Sequence, residues 1–403
     1  MNSPQSAAHQ KISIAESVAL YATLMCLVAL SIDLILPAFE VIAQDLSIVH
    51  DNQRQLIIIA FFVGLAFGQI IYGPLSDSFG RKPVIIIGLV IFITGSLLAA
   101  FANSLEVILF ARMVQGFGAA GPRVVTVALI RDRFEGESMA RIMSLITGIF
   151  VFVPVFAPSI GKFLLLFVSW RNFFVILAMV AVIEVAWFLK RQPETKTELV
   201  PFSFSQLKQA LLAFAGSPVS VGFTLAGAFA YGGLMGYVNS SQQIYQHLFL
   251  TGEQYAFWFS GSAVFIATGI FANAWLVRRF SAESICRHAL LMQFIFMVIV
   301  SIIQLLTSWA DQFIVFYIIV CINLGLLGLT FGNFTAIALK PLGQIAGTAA
   351  SIATSLTTVI SLAIAAVIGL SFNMTVKPVI VGFLICAAAS LLSMYYSKPR
   401  RLT

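Results

Sequence analysis

Charge is scarce in this 403-residue sequence: only ten per cent of its residues are Asp, Glu, Lys or Arg, while sixty per cent are hydrophobic. Soluble domains carry about 25% charged residues, so an ordinary soluble protein is excluded. Cysteine is scarce as well. Cys26, Cys286, Cys321 and Cys386 stand far apart in apolar surroundings, without the paired spacing of a disulfide framework or a zinc site, and read as packing residues. The four histidines, His9, His50, His247 and His288, are scattered over loops and termini. There is no metal-ligand cluster, nucleophile motif or sizeable extramembrane domain to suggest an enzyme or a receptor, and no metal or cofactor is expected. The net charge of +7 is dispersed among short loops without an aromatic-interleaved stripe, so no nucleic-acid partner is expected either. The first fifteen residues are polar, and the apolar run after them is long enough to span and carries an acid, so a cleavable signal peptide is not expected.

What the sequence has in abundance is apolar runs of about twenty residues, the length needed to cross a bilayer. Six fall at 16–41, 55–75, 84–102, 106–129, 140–167 and 172–189, and six more at 218–244, 255–277, 286–307, 313–338, 344–371 and 377–396. The predicted fold is therefore an all-α polytopic membrane protein of twelve transmembrane helices, arranged as two six-helix bundles around a central cavity. The expected units are 1–189, a linker at 190–217 and 218–403. Lys190, Arg191, Glu194, Lys196, Glu198 and Lys208 gather in the linker beside Pro193 and Pro201. Phe204, Leu207, Leu211 and Phe214 recur there near helical spacing, which predicts a short amphipathic helix on the membrane surface.

Placing the N-terminus in the cytosol puts Arg81, Lys82, Arg131, Arg133, Arg278, Arg279 and most other loop cations inside. Only Arg54, Arg171 and Lys377 then face out, a bias that orients the chain with both termini cytosolic.

A charged turn, Gly73-Pro74-Leu75-Ser76-Asp77-Ser78-Phe79-Gly80-Arg81-Lys82-Pro83, joins the second and third spans. Charges there must sit at a membrane face, since each would cost about 2.5–3.5 kcal/mol at a helix centre. The turn resembles the signature G-x-L-(S/A)-D-R-x-G-R-(R/K) of the major facilitator superfamily, with Ser78 in place of the usual basic residue. A degraded copy, with Asn273, Arg278 and Arg279, lies between the eighth and ninth spans, as a duplicated six-helix unit would leave behind. In the fourth span Arg112-Met113-Val114-Gln115-Gly116-Phe117-Gly118-Ala119-Ala120 resembles a second signature of the superfamily, R-x-x-Q-G-x-G-A-A. In the fifth, Gly148, Pro154, Pro158 and Gly161 resemble the antiporter signature G-x-x-x-G-P-x-x-G, with Ala157 where its second Gly stands. Ala346-Gly347-Thr348-Ala349-Ala350 resembles the start of the eleventh helix in the drug-antiporter branch. The resemblance runs over nearly the whole chain and points to the twelve-helix drug:proton antiporters, within them to the Bcr/CflA group.

Ionisable groups inside spans are functional candidates because each demands a partner or water. They are Asp33, Glu40, Arg112, Arg123, Lys162 and Glu184. Glu40 and Lys162 lie near outer ends and can snorkel. Glu184 is six residues before Lys190 and has a salt bridge to the inner loop or a transport role open to it. Asp33 lies well inside the first span, four residues before Pro37. Burial and a nearby guanidinium act on such a carboxyl in opposite senses, which suits a proton carrier; a permanent staple to Arg112 is the other reading. Arg123 follows Arg112 by eleven residues on almost the same face, about 16 Å nearer the cytosol, and either lines the cavity or reaches the headgroups. The second half offers aromatic and neutral polar candidates: Tyr231, Gln242 and Tyr245 on the seventh span, Asn323 on the tenth and Thr358 on the eleventh.

The expectations are these. Asp33 and Arg112 couple protons, and Asp33, Arg123, Tyr231, Gln242, Tyr245, Asn323 and Thr358 bind substrate. Asp77, Gly80, Arg81, Gln115, Gly116, Pro154, Pro158 and Gly161 serve conformational gating. The resemblance implies export of small amphipathic molecules, such as antibiotics, across the bacterial inner membrane on the proton gradient; a monomer without a cofactor is expected. Export of an anionic or zwitterionic metabolite or siderophore, and proton-coupled import, are the alternatives.

Overall fold

In the computed structural model the apolar runs fold into helices, and the structure describes residues 13–48, 51–134, 136–196, 199, 204–330 and 332–397. The first crossing is α1 (Ile14–Asp33), a 3-10 turn at Leu36–Ala38 and α2 (Phe39–Asp45). Then come α3 (Leu56–Phe79), α4 (Arg81–Ala100), α5 (Leu105–Arg133), α6 (Gly136–Leu165) and α7 (Trp170–Arg191). A short helix, α8 (Phe204–Ala215), precedes α9 (Pro218–Gln242), α10 (Tyr255–Leu276), α11 (Ala282–Thr307) and α12 (Phe313–Gly328). The chain ends with α13 (Asn333–Leu339), α14 (Ala346–Leu370) and α15 (Lys377–Tyr396). Among the described residues 11 spans are long and apolar enough to cross a bilayer, and α6, with 30 residues, makes the twelfth crossing. The lipid-facing surface is apolar, with Phe67, Phe110, Ile183 and Leu305 exposed. This is a multi-pass membrane protein.

Helices α1 to α7 pack mainly on one another, and so do α9 to α15; between the two groups α3 lies along α14 and α6 along α10. The end of the molecule where α7 stops and α8 begins is the linker face, and the opposite end is the far face. Small residues let the helices of the first group meet closely. A Cβ on Gly116 would collide with the Phe61 carbonyl of α3, and one on Gly95 with the backbone of Gln115.

Two crossings are interrupted where the sequence suggested continuous helices. Pro37 has no N–H to give the carbonyl of Asp33, four residues back, so α1 stops at Asp33. In the tenth crossing Gly332 takes φ +83°, a left-handed conformation open to glycine, and separates α12 from α13.

The charged turn is a compact knot at the linker face. Gly80, at φ +94°, turns the chain between α3 and α4. The side chain of Arg81 is buried: Nη2 pairs with Asp77 at 2.8 Å, Nε with Asp132 of α5 at 2.9 Å, and Nη1 donates to Ser76 at 2.6 Å. Ser78 takes no part in the knot and donates to the Pro74 carbonyl. Glu194 of the linker caps α4 from a distance, accepting from the backbone N–H groups of Arg81 and Lys82, each at 2.9 Å. It also accepts from those of Thr195 and Lys196. Burial alone would push this carboxyl up, and the backbone donors of Lys196, Lys82, Arg81 and Thr195 outweigh that, holding it below the ordinary glutamate range. The linker helix α8 buries Ala210 and Phe214 against Leu342, Ala349, Ile352 and Ala353. The side chains of Phe204 and Leu207, and the linker residues Glu198 and Pro201, lie outside the described ones.

Candidate functional site

The break in α1 delivers Asp33 to a cavity of about 130 Å³ between the two groups of helices. Its walls are Val28, Ile32, Phe150, Leu234, Met235 and Phe259 with further apolar neighbours, and its polar groups are Asp33, Arg123, Tyr231, Tyr237 and Ser262. Asp33 is 6% exposed, and among the described residues no hydrogen bond or ion pair engages its carboxyl. Arg123 shares this cavity and also lines two clefts of about 230 and 420 Å³ that run toward the linker face. Tyr231, on α9, feels the charges of both Arg123 and Asp33.

Depth explains which charges meet. Arg133, at the end of α5, donates to the Tyr21 hydroxyl of the antiparallel α1 at 2.7 Å, which sets the register of the two helices. Ten residues further in on each, Arg123 stands level with Ser31, so at 1.5 Å per residue it lies about 3 Å from Asp33 along the axis.

The expected Asp33–Arg112 pair is not formed, and the same register gives the reason. Arg112 lies about 13 Å beyond Asp33 toward the far face, and its guanidinium is turned into its own group of helices. Its Nε donates to the Ile57 carbonyl at 3.2 Å and Nη1 to Gln115 at 2.6 Å, and the charge lies 4.5 Å from the Phe61 ring centre. Gln115 in turn donates to Ser96 of α4 at 2.8 Å. Arg112 and Gln115 form a clamp joining α3, α4 and α5, 1% exposed at Arg112 and remote from the cavity.

Tyr231 lines the cavity, whereas Gln242 and Tyr245 do not. The cavity takes residues 231–238 of α9, and Gln242 and Tyr245 lie about 6 and 10 Å further along the helix toward the far face; from Gln243 to Leu248 the chain winds on as a π-helix. Gln242 donates to Gln246, and the Tyr245 hydroxyl bonds that of Tyr237, set among Tyr255, Phe313 and Phe316. Asn323 turns toward α11 and accepts from Gln293 at 3.0 Å; its neighbour Leu324 faces the cavity instead. Thr358 donates to Gln69 of α3 at 3.0 Å, a bond between the two groups of helices near mid-depth.

Pro158 is buried in α6, which is continuous through it, and Gly161 packs against the Leu34 carbonyl at the break in α1. The side chain of Pro154 lies outside the described ones. Among the described residues Glu184 makes no salt bridge with the inner loop. It is buried against α1, and among the described residues neither carboxylate oxygen has a hydrogen-bond partner; Thr23, which faces it, donates to the Leu20 carbonyl. Glu40 and Lys162 line a separate hollow of about 590 Å³ at the far face, with Gln246 and His247.

Sequence reasoning missed the closure of the far side. Gln55 Nε2 donates across the groups to Gln243 at 2.7 Å and to the Gly369 carbonyl at 3.1 Å, and Asn239 donates to Gln55 at 3.3 Å. Gln55 lies just before α3, where a polar residue passes for an ordinary helix end; its partners on the other group of helices are what give it a role. The central cavity shares Arg123 and Tyr231 with the linker-side clefts and no lining residue with the far-side hollow. Among the described residues the site thus adjoins the linker-side clefts and is separated from the far-side hollow by the Gln55 contacts.

Comparison with known proteins bears on this arrangement. The family model of the Major Facilitator Superfamily matches residues 21–366. A bicyclomycin resistance protein homolog of Haemophilus influenzae is 31% identical over 379 residues, 92% of this chain and 93% of that protein. The multidrug resistance protein MdtL of Klebsiella pneumoniae is 36% identical over 143 residues, 36% of each chain. Among solved structures, a D-xylose-proton symporter superposes with a TM-score of 0.75 at 14% identity, covering 96% of this chain and 97% of its own, a likeness of fold.

Proposed function

We propose, from the premise that this chain belongs to the Major Facilitator Superfamily and to its Bcr/CflA-like group, that it is a proton-coupled antiporter. In this reading it exports small amphipathic molecules, antibiotics among them, across the bacterial inner membrane as a monomer. The basic linker face is cytosolic, as the positive-inside bias requires. The observation that carries the reading is Asp33: among the described residues an acid without a partner, at the end of a broken helix, facing a cavity that adjoins the linker-side clefts and shares no lining residue with the far-side hollow. Ionised, it attracts the polar end of a cargo entering from the cytosol. After the two groups of helices rock and expose the site outward, a proton takes the carboxylate and the cargo loses its partner. One carboxyl that binds either proton or cargo couples their fluxes by mutual exclusion. Gln55, Asn239 and Gln243 form the outer gate that must part, and the Arg81 knot is the inner anchor about which α3 and α4 turn.

The test is uptake of a panel of amphipathic antibiotics, bicyclomycin included, into everted membrane vesicles acidified inside. The reading requires accumulation that a protonophore collapses and that Asp33→Asn abolishes. Accumulation in right-side-out vesicles with the opposite gradient would make the protein an importer, and proton-driven flux by the variant would remove Asp33 from the mechanism.

A further inference from the structure

The two charges at the central cavity are opposite in sign, close in depth and unused by each other. Asp33 and Arg123 line one hollow, and among the described residues neither has a hydrogen bond or an ion pair, with each other or with any other group. Apart from the hydroxyls of Tyr231, Tyr237 and Ser262 the wall around them is apolar, and the Tyr237 hydroxyl is already bonded to Tyr245 and Ser262. The buried carboxylate of Asp33 costs free energy until it meets a counter-charge, and the half-buried guanidinium of Arg123 lies at the border of the linker-side clefts.

A lipophilic cation would satisfy Asp33 and face repulsion from Arg123, and a simple anion would do the reverse. A ligand carrying both charges satisfies both, and selection against the wrong charge type comes from the group left unpaired. The planar guanidinium of Arg123 suits the two oxygens of a carboxylate. A protonated amine donates to the oxygens of Asp33.

We propose that the cavity is a zwitterion site: it takes an amphipathic molecule with its carboxylate on Arg123, its ammonium on Asp33 and its apolar body along Ile32, Leu234, Met235 and Phe259. The consequence for transport rests on the antiporter reading. A proton on Asp33 then removes the counter-charge of the amine end, while Arg123 keeps its hold on the carboxylate until the gate opens. Because Arg123 also lines both linker-side clefts, it is the first group of the pair that a cargo from that side meets.

The experiment is isothermal titration of the purified full-length protein in detergent with three probes of one apolar body: diphenylalanine, its N-acetyl form (an anion) and its C-terminal amide (a cation). The expected order places diphenylalanine about tenfold or more ahead of either derivative, the factor one charge-assisted contact supplies. Arg123→Gln should bring diphenylalanine down to the amide, Asp33→Asn should bring it down to the N-acetyl form, and Arg123→Lys should keep the wild-type order. If Arg123→Gln fails to fold, the wild-type order decides alone. The proposal is overturned if the amide or the N-acetyl form binds the wild type as tightly as diphenylalanine, if Arg123→Gln weakens all three alike, or if none of the three saturates. A cation-selective cavity would sink the zwitterion site and leave antiport standing, whereas zwitterion binding without proton-driven flux would do the opposite.

Discussion

The two groups of helices share a plan and differ in what holds them. Every charged side chain that is buried among the described residues, namely Asp33, Arg81, Arg112 and Glu184, precedes the linker; after it the buried polar residues are Ser, Thr, Asn and Gln. The corresponding contacts show the exchange. Where α3 and α4 meet, Arg81 pairs with Asp77 and Asp132. At the degraded copy of that turn Asn273 and Asn333 trade amide hydrogen bonds of 3.3 and 2.9 Å. Arg112, Gln115 and Ser96 tie α4 to α5, and Gln293 and Asn323 tie α11 to α12. Amides do not titrate near neutral pH. The buried charges are thus confined to one half, while the other half supplies most of the apolar wall of the cavity.

The largest test of this contrast is Arg81→Ala, which leaves Asp77 and Asp132 without their shared cation. Loss of about 3 kcal/mol is expected in detergent unfolding. Asn273→Ala at the matching place should cost about 1 kcal/mol, because a neutral amide loses one partner. Equal losses at the two turns would erase the distinction between charged and neutral halves. A double-mutant cycle sharpens it further. Asn323→Leu or Gln293→Leu alone should cost about 1 kcal/mol, and the two together close to nothing, since both buried groups are then gone.

The smallest effect concerns the linker. Glu194, held below the ordinary glutamate range by backbone donors, stabilises its docking on α4 fully above the unfolded value of about 4.3. That contribution is lost as pH falls through the lower folded value. Amide exchange at Arg81 and Lys82 should therefore be protected at neutral pH and speed up on strong acidification beyond the intrinsic trend, and Glu194→Gln should show at neutral pH part of that loss. Unchanged exchange in the variant would mean that the cap holds nothing.

Much of this was legible in the sequence because hydrocarbon makes polarity rare. Twelve apolar runs, the turn with Asp77 and Arg81, and the buried Asp33 all stand out against a background with ten per cent charge. Helical spacing gives a face but no neighbour. Arg112 and Asp33 were both visible, and only the Tyr21–Arg133 contact shows that they lie at different depths. Tyr245 shares a face with Tyr231 on α-helical spacing, and its depth, about 21 Å further along the chain, takes it past the cavity. Glu194 read as one more linker charge, since a cap contributed by a residue more than a hundred positions from its helix leaves no local pattern.

The most direct measurement of the central claim is proton release. The compound that accumulates in the vesicle assay is added to the purified protein in weakly buffered detergent at a pH where Asp33 is partly protonated, and the change in a pH indicator is read. The wild type should release protons in proportion to cargo bound, and Asp33→Asn, tested at cargo concentrations that saturate it, should release none. Equal release from both proteins would contradict the account, because the proton would then be leaving from somewhere other than Asp33.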